Sequence, residues 1–539
     1  GPYSRGSITD FMPDPLTPLF ATLGLPAINA GMARTVTELM GSSTPLIETM
    51  FATINGYVFM YASLGCRDWL WALFRMGPAI PRLLRNGERH WREVARPRYA
   101  EAVARWRDRP PRELRAADLL AGARELTDAM ASYLTALQAD ALGTAAGTEG
   151  LFTTAYDRLV KGEGDPPAAT LLLGTDSLPI QAEKALYDLA CWSRERPNLR
   201  AALLETPSER LAARLAGDEL WPGDEVLPDD DWQEWQRRFQ AHLDRFGHSL
   251  YDLDFAKALP VDEPLPLLEV HKMFLRGEGT DPYQRQRTLV ERREQAVQAA
   301  VSRLKGLKLR FFGWTLRWAQ TFALSREDSI FDIGLGYPVL RRLLHELGHR
   351  LAAAGVVARA GDVYWLELAE VESEAAALDR GEAPGSLSGR VEERKRIWRA
   401  ERRVTPPQKL PPKARVMGIK ADAFLAVSAD EQTGDVLKGV AASPGQVRGT
   451  ARVLLGPEDF HRMEPGAVLV AESTTPAWTP LFAMAAGVVT DIGGPLSHGS
   501  IVAREYGIPA VLGTGVATQR IRNGQLVTVD GSAGTVALA

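Results

Sequence analysis

The residues best placed for chemistry lie near the C-terminal end, in Asp491-Ile-Gly-Gly-Pro-Leu-Ser-His498-Gly-Ser-Ile-Val-Ala-Arg504-Glu-Tyr-Gly507-Ile-Pro509-Ala-Val511. An apolar run, Gly487-Val-Val-Thr490, leads into Gly493 and Gly494, then a Ser-His pair, then a helical segment closed by Gly507 and Pro509. The glycines permit a tight turn, Ser497 is the expected N-cap, and His498 falls in the first helical turn. A helix start presents unsatisfied N–H groups and the positive end of a dipole, which favour an anion. A neutral imidazole, with an ordinary pKa of about 6.5, keeps a nucleophilic lone pair near pH 7. The spacing therefore suits a histidine that attacks phosphorus, carries the phosphoryl group and hands it on, splitting one transfer into two. The backbone at Gly493 and Gly494, with Ser497 and the small residues Gly499 and Ser500, is the expected cradle for phosphoryl oxygens.

Two other constellations carry possible chemistry. His248 stands in Phe-Gly-His-Ser-Leu-Tyr-Asp with Asp252 and Asp254 close behind, a spacing that allows a His-carboxylate pair to deprotonate a hydroxyl; a turn-capping structural histidine is the plain alternative. Leu344-His345-Glu346-Leu-Gly-His349-Arg350 fits His-Glu-x-x-His, which on a helix sets two imidazoles on one face and can bind zinc with Glu346 as base. Glu367 and Glu370 lie at a distance open to a third ligand. A five-residue pattern with two free positions is weak, so no metal site is assigned and a zinc hydrolase is kept only as a rival reading.

The elements that must position these residues change texture along the chain. After the turn-rich Pro13-Asp-Pro15-Leu-Thr-Pro18 opening, the pattern from about Thr35 to Gly381 is mostly helical. Pro97 to Arg107, Ala116 to Leu142, Gln181 to Arg194 and Arg285 to Leu304 repeat apolar residues three and four apart. Between Gly381 and Arg415 come a charged amphipathic segment and a stiff stretch, Thr405-Pro-Pro-Gln-Lys-Leu-Pro-Pro-Lys413, suited to tethering a moving domain. From about Val436, short strands alternate with glycine turns, an α/β module.

Composition narrows the function classes. A net charge of -4 over 539 residues gives no electrostatic case for nucleic acid or an anionic membrane. Cys66 and Cys191 stand alone, so neither a disulfide framework nor a cysteine metal site is expected, and a reducing cytoplasm is the natural setting. No apolar run reaches the roughly 18 residues of a membrane span. The Gly1-Pro2 start, without Met, reads as a tag scar and leads us to expect a piece of a longer protein.

The His498 stretch resembles the phosphohistidine motif of the swivelling domains in phosphoenolpyruvate (PEP) synthase, pyruvate phosphate dikinase and rifampicin phosphotransferase. The Ser443-Pro-Gly445 start and Thr474-Thr-Pro-Ala-Trp478-Thr-Pro-Leu-Phe482 extend that likeness along nearly the whole module, the latter closest to the rifampicin phosphotransferase branch. The proline-rich opening, Phe246-Gly-His248, Ser325-Arg326-Glu327 and Gly361-Asp-Val-Tyr-Trp-Leu366 resemble, in order, the acceptor-binding domain of the same branch. In that family an ATP-grasp domain charges the histidine from ATP and Mg²⁺, and the histidine domain swings to a separate acceptor site. No Gly-rich phosphate loop before a helix is found here, so the resemblance implies that the ATP-grasp domain is cut away or supplied by another chain. About 40 residues follow His498, too few for the pyruvate-binding (β/α)₈ barrel of the dikinase relatives. Where family members have Arg-Glu and then Lys near the transferred phosphate, this chain has Arg326-Glu327-Asp-Ser-Ile330; Arg326 would neutralise phosphoryl charge.

The reading is thus a multidomain protein. A large all-α acceptor-binding domain, about residues 1–425 with its linker from about 381, precedes a small α/β phosphohistidine swivelling domain at 436–539. The expected function is transfer of a phosphoryl group from ATP through His498 to a hydroxyl of a bulky small molecule, antibiotic or natural-product-like. Arg326 and His248 act at the acceptor side, and Trp69, Trp71, Trp314 and Trp318 are candidates to line an apolar pocket. Phosphorylation that drives condensation or dehydration of a natural-product intermediate is the alternative within the same chemistry.

Overall fold

The computed structural model describes residues 3–5, 11–40, 50–61, 89–137, 143–217, 229–278, 280–382, 385–404, 406–407, 409–410, 415–416, 419–420, 432, 434–494 and 497–539. Cys66, Trp69 and Trp71 lie outside the described residues, as does most of the proline-rich tether.

The N-terminal part is mostly helical. Its principal helices are α1 (Ala116–Leu137), α2 (Gly143–Leu159), α3 (Leu178–Arg194), α4 (Asp229–Phe246), α5 (Leu265–Arg276), α6 (Pro282–Ser302), α7 (Gly306–Phe331) and α8 (Tyr337–Ala353). The apolar spacing decides them: α1 buries Leu119, Ala123, Leu126, Met130, Leu134 and Leu137 along one stripe. Local chemistry sets their ends. Asp281 caps α6, accepting from Tyr283 N at 2.8 Å and Gln284 N at 3.2 Å, with Pro282 in the first turn. None of the helices among the described residues is long and apolar enough to cross a membrane.

The chain divides into two compact units that do not follow chain order. The first comprises Gly1–Thr144, Asp252–Lys257 and Asp332–Leu425; the second comprises Ala145–Tyr251, Ala258–Phe331 and Ala426–Ala539. Within the first, a small antiparallel sheet interrupts the helices, in the order Phe51–Ile54, Tyr57–Tyr61, Tyr3–Ser4, Lys409–Leu410. Its hairpin turns on Asn55 and Gly56, both at positive φ (48° and 75°), the residue pair a two-residue type I′ turn demands.

The second unit holds the C-terminal α/β module. Its strands are β1 (Val436–Lys438), β2 (Val440–Ser443), β3 (Gln446–Leu454), β4 (Val468–Ala471), β5 (Gly487–Thr490), β6 (Ala510–Leu512), β7 (Leu526–Asp530) and β8 (Thr535–Leu538). They form one sheet in the order β1-β8-β7-β3-β4-β5-β6-β2, parallel through β3-β4-β5-β6 and antiparallel elsewhere. The continuous apolar runs of β4 and β5 are buried on both faces, as a covered parallel core requires. Val468, Val470, Val489, Val511, Val527 and Val529 pack on one side. On the other, a single apolar core joins Trp235, Phe239 and Phe274 of the helices to Trp478, Leu481 and Phe482 of the module.

Candidate active site

The site is built at the parallel end of the sheet. After β5, Asp491 fixes the strand exit: it accepts from Thr518 N at 3.1 Å and Thr514 Oγ1 at 3.2 Å, and burial holds its carboxyl above the usual range despite those donors. Gly493 then adopts φ +140°, which a side chain would strain. The helix that follows, α9 (His498–Tyr506), ends in Gly507 at φ 66°, as its sequence anticipates.

Ser497 occupies the N-cap position with extended backbone, but its hydroxyl does not cap the helix. It donates back to Gly494 O at 3.0 Å, and Ser500 Oγ donates to the same carbonyl at 2.6 Å. The two hydroxyls tie the glycine loop to the helix. Gly499 leaves no space for a side chain, since a Cβ there would clash with Thr474 Oγ1.

His498 is buried and both ring nitrogens are engaged. Nδ1 lies 2.8 Å from Glu327 Oε2 on α7, and Nε2 lies 3.3 Å from Thr479 Oγ1. An ionised carboxylate only accepts, so Nδ1 carries the proton, and Nε2 is the nitrogen that holds the lone pair whenever the ring is neutral. Glu327 is 2 % exposed. Burial pushes its carboxyl up, but the charge and hydrogen bond of His498, with help from Arg326, outweigh this and hold it below the usual range. Its second oxygen, Oε1, has no hydrogen-bond partner among the described residues.

Arg326 is half-buried beside this pair, and its guanidinium makes no hydrogen bond or ion pair among the described residues. It acts through space on half-buried Glu149 of α2, whose carboxyl burial holds above the usual range against the pull of Arg326 and Arg504. Arg504 donates from Nε to Ala442 O at 2.7 Å. Ile330 is buried and apolar.

The other sequence candidates are placed as follows. His248 is buried with its ring edge-on to Phe331, centroids 4.9 Å apart. Asp252 and Asp254 fall in the other compact unit, where Asp254 accepts from Thr17 N at 2.6 Å and Thr17 Oγ1 at 2.9 Å, and Asp252 accepts from Asp254 N at 2.8 Å. The rings of Trp314 and Trp318 lie 4.1 Å apart, tilted by 42°, on α7 beside Phe311, with Trp314 38 % exposed. On α8, the rings of His345 and His349 lie 4.4 Å apart, but Glu346 is paired with Arg350 at 2.9 Å, and Glu367 and Glu370 are paired with Arg394 at 2.8 and 2.6 Å. No group of three or more His, Cys, Asp or Glu among the described residues is arranged to hold a metal. A cleft of about 600 Å³ opens between α6 and α7; Leu316, Gln320 and Leu324 line it on the α7 face that continues to Glu327.

Sequence reasoning attached no role to Thr479, Glu149 or Glu505 and gave Glu327 none of its own. The pairing of Glu327 with His498 spans 171 residues, and no local spacing announces it.

Residues 463–534 match the mobile domain of PEP-utilising enzymes and residues 142–327 match the rifampicin phosphotransferase fourth domain. The chain is 31% identical over 393 residues to a rifampicin phosphotransferase of Streptomyces sviceus, covering 70% of this chain and 42% of that protein. It is 30% identical over 375 residues to the uncharacterized phosphotransferase YvkC of Bacillus subtilis, covering 68% and 42%. Likeness to the prodigiosin synthesizing transferase PigC of Serratia marcescens reaches 32% over 391 residues, 70% of this chain and 41% of that one. The chain thus spans about two fifths of the length of these relatives. The chain is thus rifampicin phosphotransferase-like, with a rifampicin phosphotransferase fourth domain at 142–327 and the mobile domain of PEP-utilising enzymes at 463–534.

Proposed function

We propose that the chain is the carrier and acceptor part of a phosphotransferase. It takes a phosphoryl group from ATP onto His498 and passes it to a hydroxyl of a bulky small molecule. The observation that carries this reading is the buried Glu327–His498 pair, which fixes the proton on Nδ1 and leaves Nε2 as the nucleophile. ATP and Mg²⁺ would supply the charging chemistry on an ATP-grasp domain, in cis or in trans.

In the transfer step the acceptor oxygen attacks phosphorus, the P–Nε2 bond breaks and its electron pair returns to the ring. Glu327 keeps Nδ1 protonated throughout, so imidazole leaves neutral rather than as an anion. Arg326, whose guanidinium makes no hydrogen bond among the described residues, is assigned to meet the equatorial phosphoryl oxygens. The first-turn amides of α9, uncapped by Ser497, face the same charge. His248 is assigned as the base that takes the hydroxyl proton. The cleft along α7, about 600 Å³, has the size of a small-molecule site. Ile330, buried and apolar where the resemblance leads one to expect a lysine, favours an acceptor other than a rifamycin. A second outcome, phosphorylation that drives a condensation, is supported by the likeness to the prodigiosin synthesizing transferase.

The test is acid-labile label on this chain after incubation with β-labelled ATP, Mg²⁺ and a matching ATP-grasp domain. Label on the wild type and none on His498→Ala is expected; equal label on both overturns the carrier role. A stable phosphate ester as product then separates simple phosphorylation from coupled condensation, which releases inorganic phosphate.

A further inference from the structure

Helix α9 is held at both ends, and only its first end belongs to the chemistry described so far. Seven residues beyond His498, the Glu505 carboxylate is buried against the segment that precedes α3. Both of its oxygens accept from Gly174 N at 3.1 Å, and Thr175 Oγ1 donates to Oε1 at 3.3 Å. Gly174 is the residue the contact needs: it sits at φ +75°, and a Cβ there would lie 2.8 Å from Val290 Cγ2. The next residue, Tyr506, is buried under the Arg285 guanidinium, 4.0 Å from the ring centroid, and Arg285 is itself paired with buried Glu183 of α3. A carboxylate buried at this depth is costly unless it is fully met by donors, so the contact is a specific seat and not incidental packing.

Resting on the carrier reading above, we propose that Glu505 is a positioning residue for the transfer step: its grip on Gly174 and Thr175 seats α9 so that His498 meets Glu327. The ring that must leave for charging and return for transfer is thereby given a fixed landing place, 171 residues away in sequence from its carboxylate partner. The charged groups facing Glu505 are Arg285 from α6, Glu183 from α3 beyond it, and Arg504 on its own helix. Burial, stronger than the pull of the backbone donors and Arg285, places the seated carboxyl at about 7. Freed into water it returns to an ordinary value of about 4.3. The seated state therefore binds the proton more tightly, and seating is strongest at low pH and weakens as pH rises toward and through 7.

Amide hydrogen exchange of the intact chain tests this directly. In Glu505→Ala, protection at Gly174 and Thr175, and the resistance of His498 to carbethoxylation, should fall about tenfold or more, while the β4 and β5 amides keep theirs. Glu505→Gln, which keeps the shape and an acceptor oxygen, should retain most of the protection but lose its decline between pH 5 and 8 after correction for intrinsic exchange. Unchanged protection at residues 174 and 175 in Glu505→Ala, or the same pH dependence in Glu505→Gln as in wild type, overturns the proposal. Should Glu505→Ala open the whole sheet, the Gln variant alone decides. None of these readouts uses phosphate, so a histidine that never takes label would refute the carrier reading without touching the seat.

Discussion

Glu327 and Arg326 are adjacent on one helix, yet their contacts differ: one grips the imidazole, the other makes no hydrogen bond among the described residues and acts through its charge. Replacing Glu327 with Gln keeps a hydrogen-bond acceptor for Nδ1 but removes the charge that stabilises a protonated ring. Discharge of phospho-His498 to an acceptor should slow by about 100-fold, with less effect on acceptor affinity, a split that kcat and KM resolve. Arg326→Lys should restore little of what Arg326→Ala loses, because a point charge does not match two phosphoryl oxygens as a planar fork does. If lysine restores full transfer, Arg326 acts only through its charge. At this scale the sequence was half legible. The place of His498 at the start of a helix was readable because its neighbours share one turn and one helix; its contact with Glu327 was not, because that is made by tertiary packing.

Elements were easier to read than contacts. Helices announced themselves by spacing: the segments expected at Pro97–Arg107 and Gln181–Arg194 lie within Arg96–Arg107 and Leu178–Arg194, while those expected from Ala116 to Leu142 and from Arg285 to Leu304 fall on helices described as Ala116–Leu137 and Pro282–Ser302. The stop at Gly507 and Pro509 was equally plain, since left-handed backbone at a helix end favours glycine. The hairpin at Phe51–Tyr61 went unread although Asn55-Gly56 marks it, because helical texture on either side outweighed two residues. Ser497 shows the limit of local rules: the position is an N-cap, while the hydroxyl serves the Gly494 carbonyl instead. Gly499 gives the prediction proper to this scale. Gly499→Ala pushes a methyl against Thr474 Oγ1, and thermal or urea unfolding should show a loss of about 1–3 kcal/mol. The double change with Thr474→Ser should recover little, since the clashing oxygen remains, whereas Thr474→Ala should recover most of it.

Across the whole molecule, buried titratable groups pull stability in opposite directions with pH. Burial drives His242 to about 4 and His271 to about 3, so both are neutral in the fold and must charge on unfolding in acid. Their folded values lie below the unfolded value of about 6.5, so the stability they contribute is full above pH 6.5 and is lost as pH falls through 4 and 3. Glu505 works the other way, with its contribution full below about 4.3 and lost as pH rises through 7. Unfolding free energy measured from pH 8 to 4 should therefore fall toward acid, and Glu505→Gln should steepen that fall between pH 7 and 5. A profile that is identical in wild type and variant would show that the carboxyl is not buried in solution. Division into compact units was the least legible level, since segments 145–251 and 258–331 group with the C-terminal module and not with their chain neighbours. Sequence proximity carries no information about which surfaces of a long helical chain will close on one another.

The burial of the His498 ring, with both nitrogens occupied, has a temporal consequence. On the carrier reading proposed above, a ring seated this deeply has to leave to meet a nucleotide, and the phosphoryl group it then carries is open to hydrolysis in transit. Each round of turnover on that reading includes one unseating and one return, and residence on α7 would set its tempo. A seat too firm would leave the carrier idle, and one too loose would spill its cargo into water. Selection on such a chain would then act on how long α9 stays down.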